Sequence, residues 1–282
     1  MRKVLSYSNC MADWTKITGR GNVEDRRGAS LAFASGGLGL VGLGIVVILQ
    51  FLSGSPVDVG SILTQLPQYT GQSSYSAKDF EGDDSYEVFS SKVLGSNNET
   101  WKNIFAETNK TYKEPRLVLF RTATQSACGT ATSSVGPHYC PIDSTIYIDE
   151  TFYDELTAKL GAKGGDVAEA YVLSHEVGHH VQQQLGILDS RRTNNPEDSV
   201  QLELQADCFA GIWAHGVAKQ GVFEPNEINE AIDAAAAVGD DRIQSRVNGQ
   251  INPETWTHGS SEQRVAAFNK GYTSGSPAQC EI

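Results

Sequence analysis

The sequence predicts an α+β domain, mainly helical with a small sheet, preceded by one transmembrane helix. Three observations carry that expectation. Two short β-branched or aromatic runs, 116–121 and 145–149, are bounded by turn residues and read as strands. The second half of the chain places apolar residues at helical spacing. A 22-residue run, 31–52, carries no charge. Strands followed by a run of helices is the α+β order.

Taken in chain order, residues 1–30 hold six Lys/Arg against three Asp/Glu and read as a cytoplasmic N-terminal segment. At 1.5 Å per residue, 31–52 is long enough to cross a hydrocarbon core of roughly 30 Å. A cleaved signal peptide has a shorter apolar run, about 7–15 residues. Five glycines in the run suit a membrane helix better than a buried soluble one. Arg2, Lys3, Lys16, Arg20, Arg26 and Arg27 precede it, and the residues just after it are uncharged or acidic. The positive-inside bias therefore predicts a single-pass cell-membrane protein with a cytoplasmic N-terminus and everything beyond the span outside. Residues 53–80, rich in Ser, Gly and Gln, read as a linker, and 81–282 as the functional domain.

Within that domain, Val88, Phe89, Val93, Leu94, Trp101, Ile104 and Phe105 fall at helical spacing. Gly95 to Asn98 interrupt them, which predicts two helices. A Gly- and Ser-rich loop then separates the two strands. Helices follow at 166–185, opening on an Asp suited to N-cap and ending before Gly186, and at 196–220, with Pro in the first turn and Gly221 after the end. Segments 225–238 and 260–270 complete the set. Cys10 precedes the apolar run, while Cys128, Cys140, Cys208 and Cys280 follow it. An even number in an oxidising compartment suggests two disulfides. Of three possible pairings, the favoured one joins Cys128–Cys140 across the loop and Cys208–Cys280 at the C-terminal tail.

The net charge of −12 makes nucleic acid an unsuitable partner, because phosphate neutralisation needs Lys and Arg. The informative pattern is His175-Glu176-Val177-Gly178-His179, an HExxH inside a predicted helix. Four residues are slightly more than one turn, so both imidazoles leave the same face at a spacing that grips one metal ion, and Glu176 sits beside them. Zinc suits two imidazoles and a carboxylate with one position open. Glu203 and Asp207, one turn apart on the next helix, supply a third ligand and a carboxylate to orient a ligating imidazole. Glu176 is then placed as general base. His180 points about 100° away around the helix, and His215 and His138 read as structural. His258, ahead of a capped helix, is a candidate for oxyanion stabilisation.

These residues, with Asn22 to Arg27 (NVEDRR), Cys128-Gly129, Tyr139-Cys140-Pro141, Glu203 to Gly211 (ELQADCFAG), Gly239 to Arg242 (GDDR) and His258 to Arg264 (HGSSEQR), resemble the bacterial putative neutral zinc metallopeptidase family. The first ten residues do not match it. The resemblance implies a zincin-like fold related to the gluzincins, with Glu203 as third ligand. More distantly, HExxH with ExxAD and a later His and Arg is similar to Ste24/HtpX-type membrane metallopeptidases.

The resulting expectation is a membrane-anchored zinc metalloendopeptidase with one catalytic zinc ion and a protein or peptide substrate. The competing reading is a catalytically silent zinc-bound regulatory or binding module, against which Glu176 argues. An intramembrane protease is excluded by Asp166, Glu169 and three consecutive Gln on the motif helix.

Overall fold

A five-stranded sheet forms one layer of the protein, in the order β2-β1-β3-β7-β6. The computed structural model describes residues 11–28, 78–79, 84–190, 196–224, 226–247 and 249–281, and these described residues belong to one compact unit. β3 (Arg116–Phe120) and β7 (Thr145–Asp149) are the two predicted strands, and they pair in parallel from Arg116↔Thr145 to Phe120↔Asp149. Both are near-continuous apolar runs because helices cover them. β6 (His138–Cys140) lies antiparallel to β7 at one edge of the sheet.

The loop between β3 and β7 has structure of its own. β4 (Ala123–Ser126) and β5 (Gly129–Thr132) form a separate two-stranded ribbon. Cys128–Cys140 ties the turn of that ribbon to β6.

The N-terminal segment corrects the sequence reading. β1 (Asn22–Asp25) lies inside the sheet, parallel to β3 and antiparallel to β2 (Lys78–Asp79). Ala12, Trp14, Ile17 and Val23 are buried in the main core. Residues 12–28 therefore belong to the domain that the sequence begins at 81, and Lys78–Asp79 of the expected linker is a strand. The span expected at 31–52 lies outside the described residues, among which no helix is long and apolar enough to cross a membrane.

α1 (Ser85–Glu107) is one continuous helix where two were predicted. Gly95 is the reason. A Cβ there would sit 2.6 Å from the Arg20 nitrogen and the Gly19 carbonyl carbon, so the glycine lets the N-terminal segment cross the helix. Its local cost, about 1 kcal/mol against Ala, is outweighed by packing.

Among the described residues, the further helices of seven or more residues are α2 (Phe152–Ala158), α3 (Asp166–Gln184), α4 (Pro196–Lys219), α5 (Ile228–Ala237), α6 (Asp240–Val247) and α7 (Ser261–Ser274). α2 and α6 have no counterpart among the predicted elements. Gly165, not Asp166, is the N-cap of α3. The Asp166 carboxylate instead accepts from Ala12 N at 3.1 Å and Trp14 Nε1 at 2.6 Å. α7 opens with a capping box between Ser260 and Gln263.

α4 and α7 approach so closely that a Cβ on Gly271 would lie 1.9 Å from the Cys208 carbonyl oxygen, and one on Gly211 would lie 2.1 Å from that of Phe268. Cys208–Cys280 fastens the C-terminal tail to α4 beside this crossing.

Candidate metal centre

α3 carries His175, Glu176 and His179, and α4 carries Glu203 and Asp207. The two helices come together because Gly178 has no side chain: a Cβ there would stand 2.9 Å from Ala206 Cα. The variable glycine of the HExxH pattern is thus what brings the next helix to the histidines. His175 Nε2 lies 3.1 Å from Glu203 Oε2, and His179 Nε2 lies 3.3 Å from Glu203 Oε1. One donor atom from each of the three residues falls within 4.8 Å of the others. Two imidazole nitrogens and a carboxylate, all facing one point, are a donor set that fits zinc.

Both imidazoles have their second nitrogen engaged. His175 Nδ1 donates to Asp207 Oδ1 at 2.8 Å, and His179 Nδ1 donates to Gln182 Oε1 at 2.9 Å. These bonds leave each Nε2 aimed at the centre, as ligation requires. Asp207 is fully buried and also accepts from Tyr171 Oη at 2.6 Å. Arg264 of α7 grips it with two bonds, Nε to Oδ2 at 2.7 Å and Nη2 to Oδ1 at 2.9 Å. Burial alone would raise the Asp207 carboxyl; the Arg264 guanidinium and His175 reverse that and hold it below the usual range. Burial would likewise lower His175, but the Asp207 and Glu203 carboxylates push it up to about 10. Glu203 stays ionised despite burial because His179 and His175 face it. A metal ion held here would take the place of the proton between these groups.

On the other imidazole, support reaches the C-terminal tail. Gln182 Nε2 donates to Gln205 Oε1 at 3.1 Å, and Gln205 Nε2 donates to the Cys280 carbonyl at 2.8 Å. Arg264, Gln182 and Gln205 are the positioning residues that the sequence does not assign. Arg264 stands in the quoted HGSSEQR motif, but no local signal reveals that its guanidinium is buried.

Glu176 is buried and lines the same cleft of about 540 Å³ as His175, His179, Glu203 and His258. His258 stands half-exposed at the wall. Its Nδ1 faces Asp240 Oδ1 at 3.2 Å, and the other Asp240 oxygen accepts from the backbone N–H groups of Thr257, His258 and Gly259. The remaining histidines lie apart from the donor cluster. His180 bonds Tyr139 Oη and the Lys113 carbonyl, and burial pulls it down to about 4. His215 donates to the Tyr272 carbonyl. His138, which the sequence places in a loop, sits on edge strand β6, stacks on Tyr147 and lines the cleft.

Comparison with known proteins identifies the family. A family described as putative neutral zinc metallopeptidase matches residues 12–282. The chain is 42% identical over 273 residues to a protein of Escherichia coli K12 described as uncharacterized protein YpfJ, covering 92% of this chain and 94% of that one. It is 39% identical over 245 residues to uncharacterized protein Rv2575 of Mycobacterium tuberculosis H37Rv, covering 80% and 82%. No solved structure matches.

Proposed function

The chain belongs to the putative neutral zinc metallopeptidase family, and from that premise we propose that it is a zinc metalloendopeptidase whose ligands are His175, His179 and Glu203 and whose general base is Glu176. One observation carries the reading: three donor atoms converge within 4.8 Å on the wall of a cleft that Glu176 and His258 also line. A zinc ion held there would polarise a substrate carbonyl and lower the pKa of a coordinated water to about 7.

The chain's own residues do the rest. Glu176 takes the proton of the attacking water and passes it to the leaving amine. Asp207 and Gln182 fix the tautomers of the two imidazoles. His258, beside Asp240 on the wall of the same cleft, is the residue to donate a hydrogen bond to the oxygen on which negative charge develops.

The cleft favours internal bonds of a chain. Apart from the centre and its histidines, its lining is apolar or aromatic, including Phe152, Leu160, Val172 and Val238. Among the described residues that line it, the one arginine, Arg264, is committed to Asp207 and does not clamp a terminal carboxylate. β6 is a sheet edge at the cleft, to which an extended peptide can add. The reading includes attachment to a membrane through 31–52 and, from two disulfides in the domain, an oxidising compartment.

The decisive comparison is wild type against Glu176→Gln, with bound zinc and cleavage of an unfolded protein both measured. The variant is expected to keep its zinc and lose about 10²–10⁴-fold in rate. Equal activity in the two proteins would sink the peptidase assignment. A wild type that holds zinc but cleaves nothing would leave the silent-module reading in its place.

A further inference from the structure

Beyond the second histidine of the motif, α3 continues with His180-Val181-Gln182-Gln183-Gln184, and each of the four polar side chains has a partner within the protein. Helical spacing divides their directions. Gln182 turns to the centre, where it holds His179 Nδ1. Gln183 follows His179 by one turn, and His180 and Gln184 stand one turn apart on the neighbouring stripe. Gln184 accepts from Lys113 N at 2.8 Å and donates to the Lys113 carbonyl at 3.0 Å, just ahead of β3. His180 and Gln183 reach β6.

β6 has few means of holding its own position. It makes three residue pairs with β7, His138↔Tyr147, Tyr139↔Ile146 and Cys140↔Thr145, and on its other side no strand pairs with it among the described residues. Pro137 and Pro141 flank it and have no N–H with which to extend the ladder. Successive side chains leave opposite faces of a strand. On one face His138 stacks on Tyr147 and Cys140 is bonded to Cys128. On the other, Tyr139 points to α3.

The Tyr139 hydroxyl lies between two acceptors, His180 Nδ1 at 2.8 Å and Gln183 Oε1. A carbonyl only accepts, so His180 Nε2 carries the hydrogen that it gives to Lys113 O at 2.6 Å, and Nδ1 is left to receive one. Gln183 Nε2 donates to the Pro141 carbonyl at 2.7 Å, immediately after the strand. His180 is buried, so water competes little for these bonds. The stack and the disulfide tie β6 to its own layer. Tyr139 and Pro141 tie it to the helix of His175 and His179, whose cleft it lines through His138 and Tyr139. The spacing between the strand and the centre is therefore set by side chains of α3.

We propose that His180 and Gln183 are positioning residues for the substrate: they hold edge strand β6 in place beside the metal centre, so that an extended polypeptide laid along it meets the centre in one alignment. What β6 receives rests on the peptidase reading; how it is held does not. An edge that shifts has to be stilled whenever a chain adds to it, and that ordering cost falls on binding. His175, His179, Glu203 and Glu176 are supported by other groups, so the chemical step is spared.

The test compares the zinc-loaded full chain with Tyr139→Phe, which removes only the hydroxyl, and with Gln183→Leu. Each change should raise KM for a long, unstructured, internally quenched peptide about 3–10-fold, the equivalent of one hydrogen bond. kcat should stay within about twofold, and zinc affinity in a chelator competition should match wild type. Gln182→Leu, one residue away, should instead weaken zinc. Hydrogen exchange adds a readout without cleavage: the amides of His138–Cys140 should exchange faster in both variants, while those of β3 and β7 keep their rates. Unchanged KM, unchanged exchange at β6, or a kcat that falls together with zinc overturns the proposal. A wild type that cleaves nothing defeats the peptidase reading instead, and the same peptide is then titrated onto zinc-loaded Glu176→Gln. Binding weakened about 3–10-fold by either added change keeps the positioning role, and binding that is absent or indifferent to both removes it.

Discussion

Two buried arginines organise the two halves of this molecule, and they do different things with the same chemistry. Arg264, in the helical half, grips Asp207 with two bonds, and Asp207 holds Nδ1 of His175, a proposed zinc ligand. Arg27, in the sheet half, collects Asp25, Asp84 and Glu150 from three separate elements. Both are planar forks satisfied by carboxylates, the arrangement in which a guanidinium tolerates burial. The first turns a local ion pair into a property of the metal centre. The second ties the N-terminal segment to the start of α1 and the end of β7, and touches no ligand. Burial and charge pairing alone do not distinguish a functional arginine from an architectural one; what the carboxylate holds next does.

The largest expected effect tests this distinction. Arg264→Leu leaves Asp207 buried without its partner, a change that costs about 3–5 kcal/mol in comparable pairs. It should also weaken zinc binding by roughly 10–100-fold, the usual loss when a group orienting a ligand is disturbed. Arg27→Ala should lower stability alone. Urea unfolding with a chelator competition on each variant measures both quantities. If Arg27→Ala also weakens zinc, or Arg264→Leu leaves it unchanged, the two arginines are not separable in this way.

What the sequence makes legible follows the same division. HExxH and the ExxxD pair can be read because each is a helical repeat of chemistry-bearing residues, and spacing within a helix fixes direction. The structure brings these residues together as that spacing predicts. Arg264 is visible only as a letter in a motif, since its role depends on packing between α4 and α7 through Gly211 and Gly271. β1 is less legible still. NVED has little strand pattern, it is four residues long, and its partners are contributed by segments more than 50 positions away. Asp166 reads as an N-cap because Asp is a good one, yet its carboxylate is spent on Trp14. Gly95 reads as a break because a lone glycine weakens a helix, and nothing local announces the backbone that crosses it.

A smaller effect is expected from the tail disulfide, which joins the two halves of the argument at His179. Cys280→Ser opens a connection spanning 72 positions, worth about 2–4 kcal/mol in the chain-entropy view. The carbonyl of the same residue anchors Gln205, and through Gln182 the His179 ring. Zinc affinity should therefore fall with stability, whereas Cys128→Ser, at the ribbon beyond β3, should affect stability alone. Thermal melts with zinc titration decide it. Equal zinc affinity in wild type and Cys280→Ser would show that the tail fastens the fold without serving the centre.

The smallest predicted effect comes from a carboxylate cluster that meets an arginine at Glu150 alone among the groups that raise Glu169. Glu169 on α3 is half-buried, and loss of solvent together with Asp166, Glu150, Asp154 and Glu230 pushes it up to about 8. Glu230 is pushed up to about 7, mainly by burial. The sign follows from proton binding. Between the unfolded value near 4.3 and about 8, the folded protein holds a proton on Glu169 that the unfolded chain has released. Stability is therefore fully present at low pH and declines as pH rises through that window, by at most about 1.4 kcal/mol per pH unit. Glu169→Gln removes the titration while keeping the shape. Its Tm should match wild type near pH 5 and exceed it at pH 8, with the gap opening between. Parallel Tm curves for wild type and Glu169→Gln from pH 5 to 8 would mean that Glu169 is ionised in the fold and that the neighbouring carboxylates do not hold its proton.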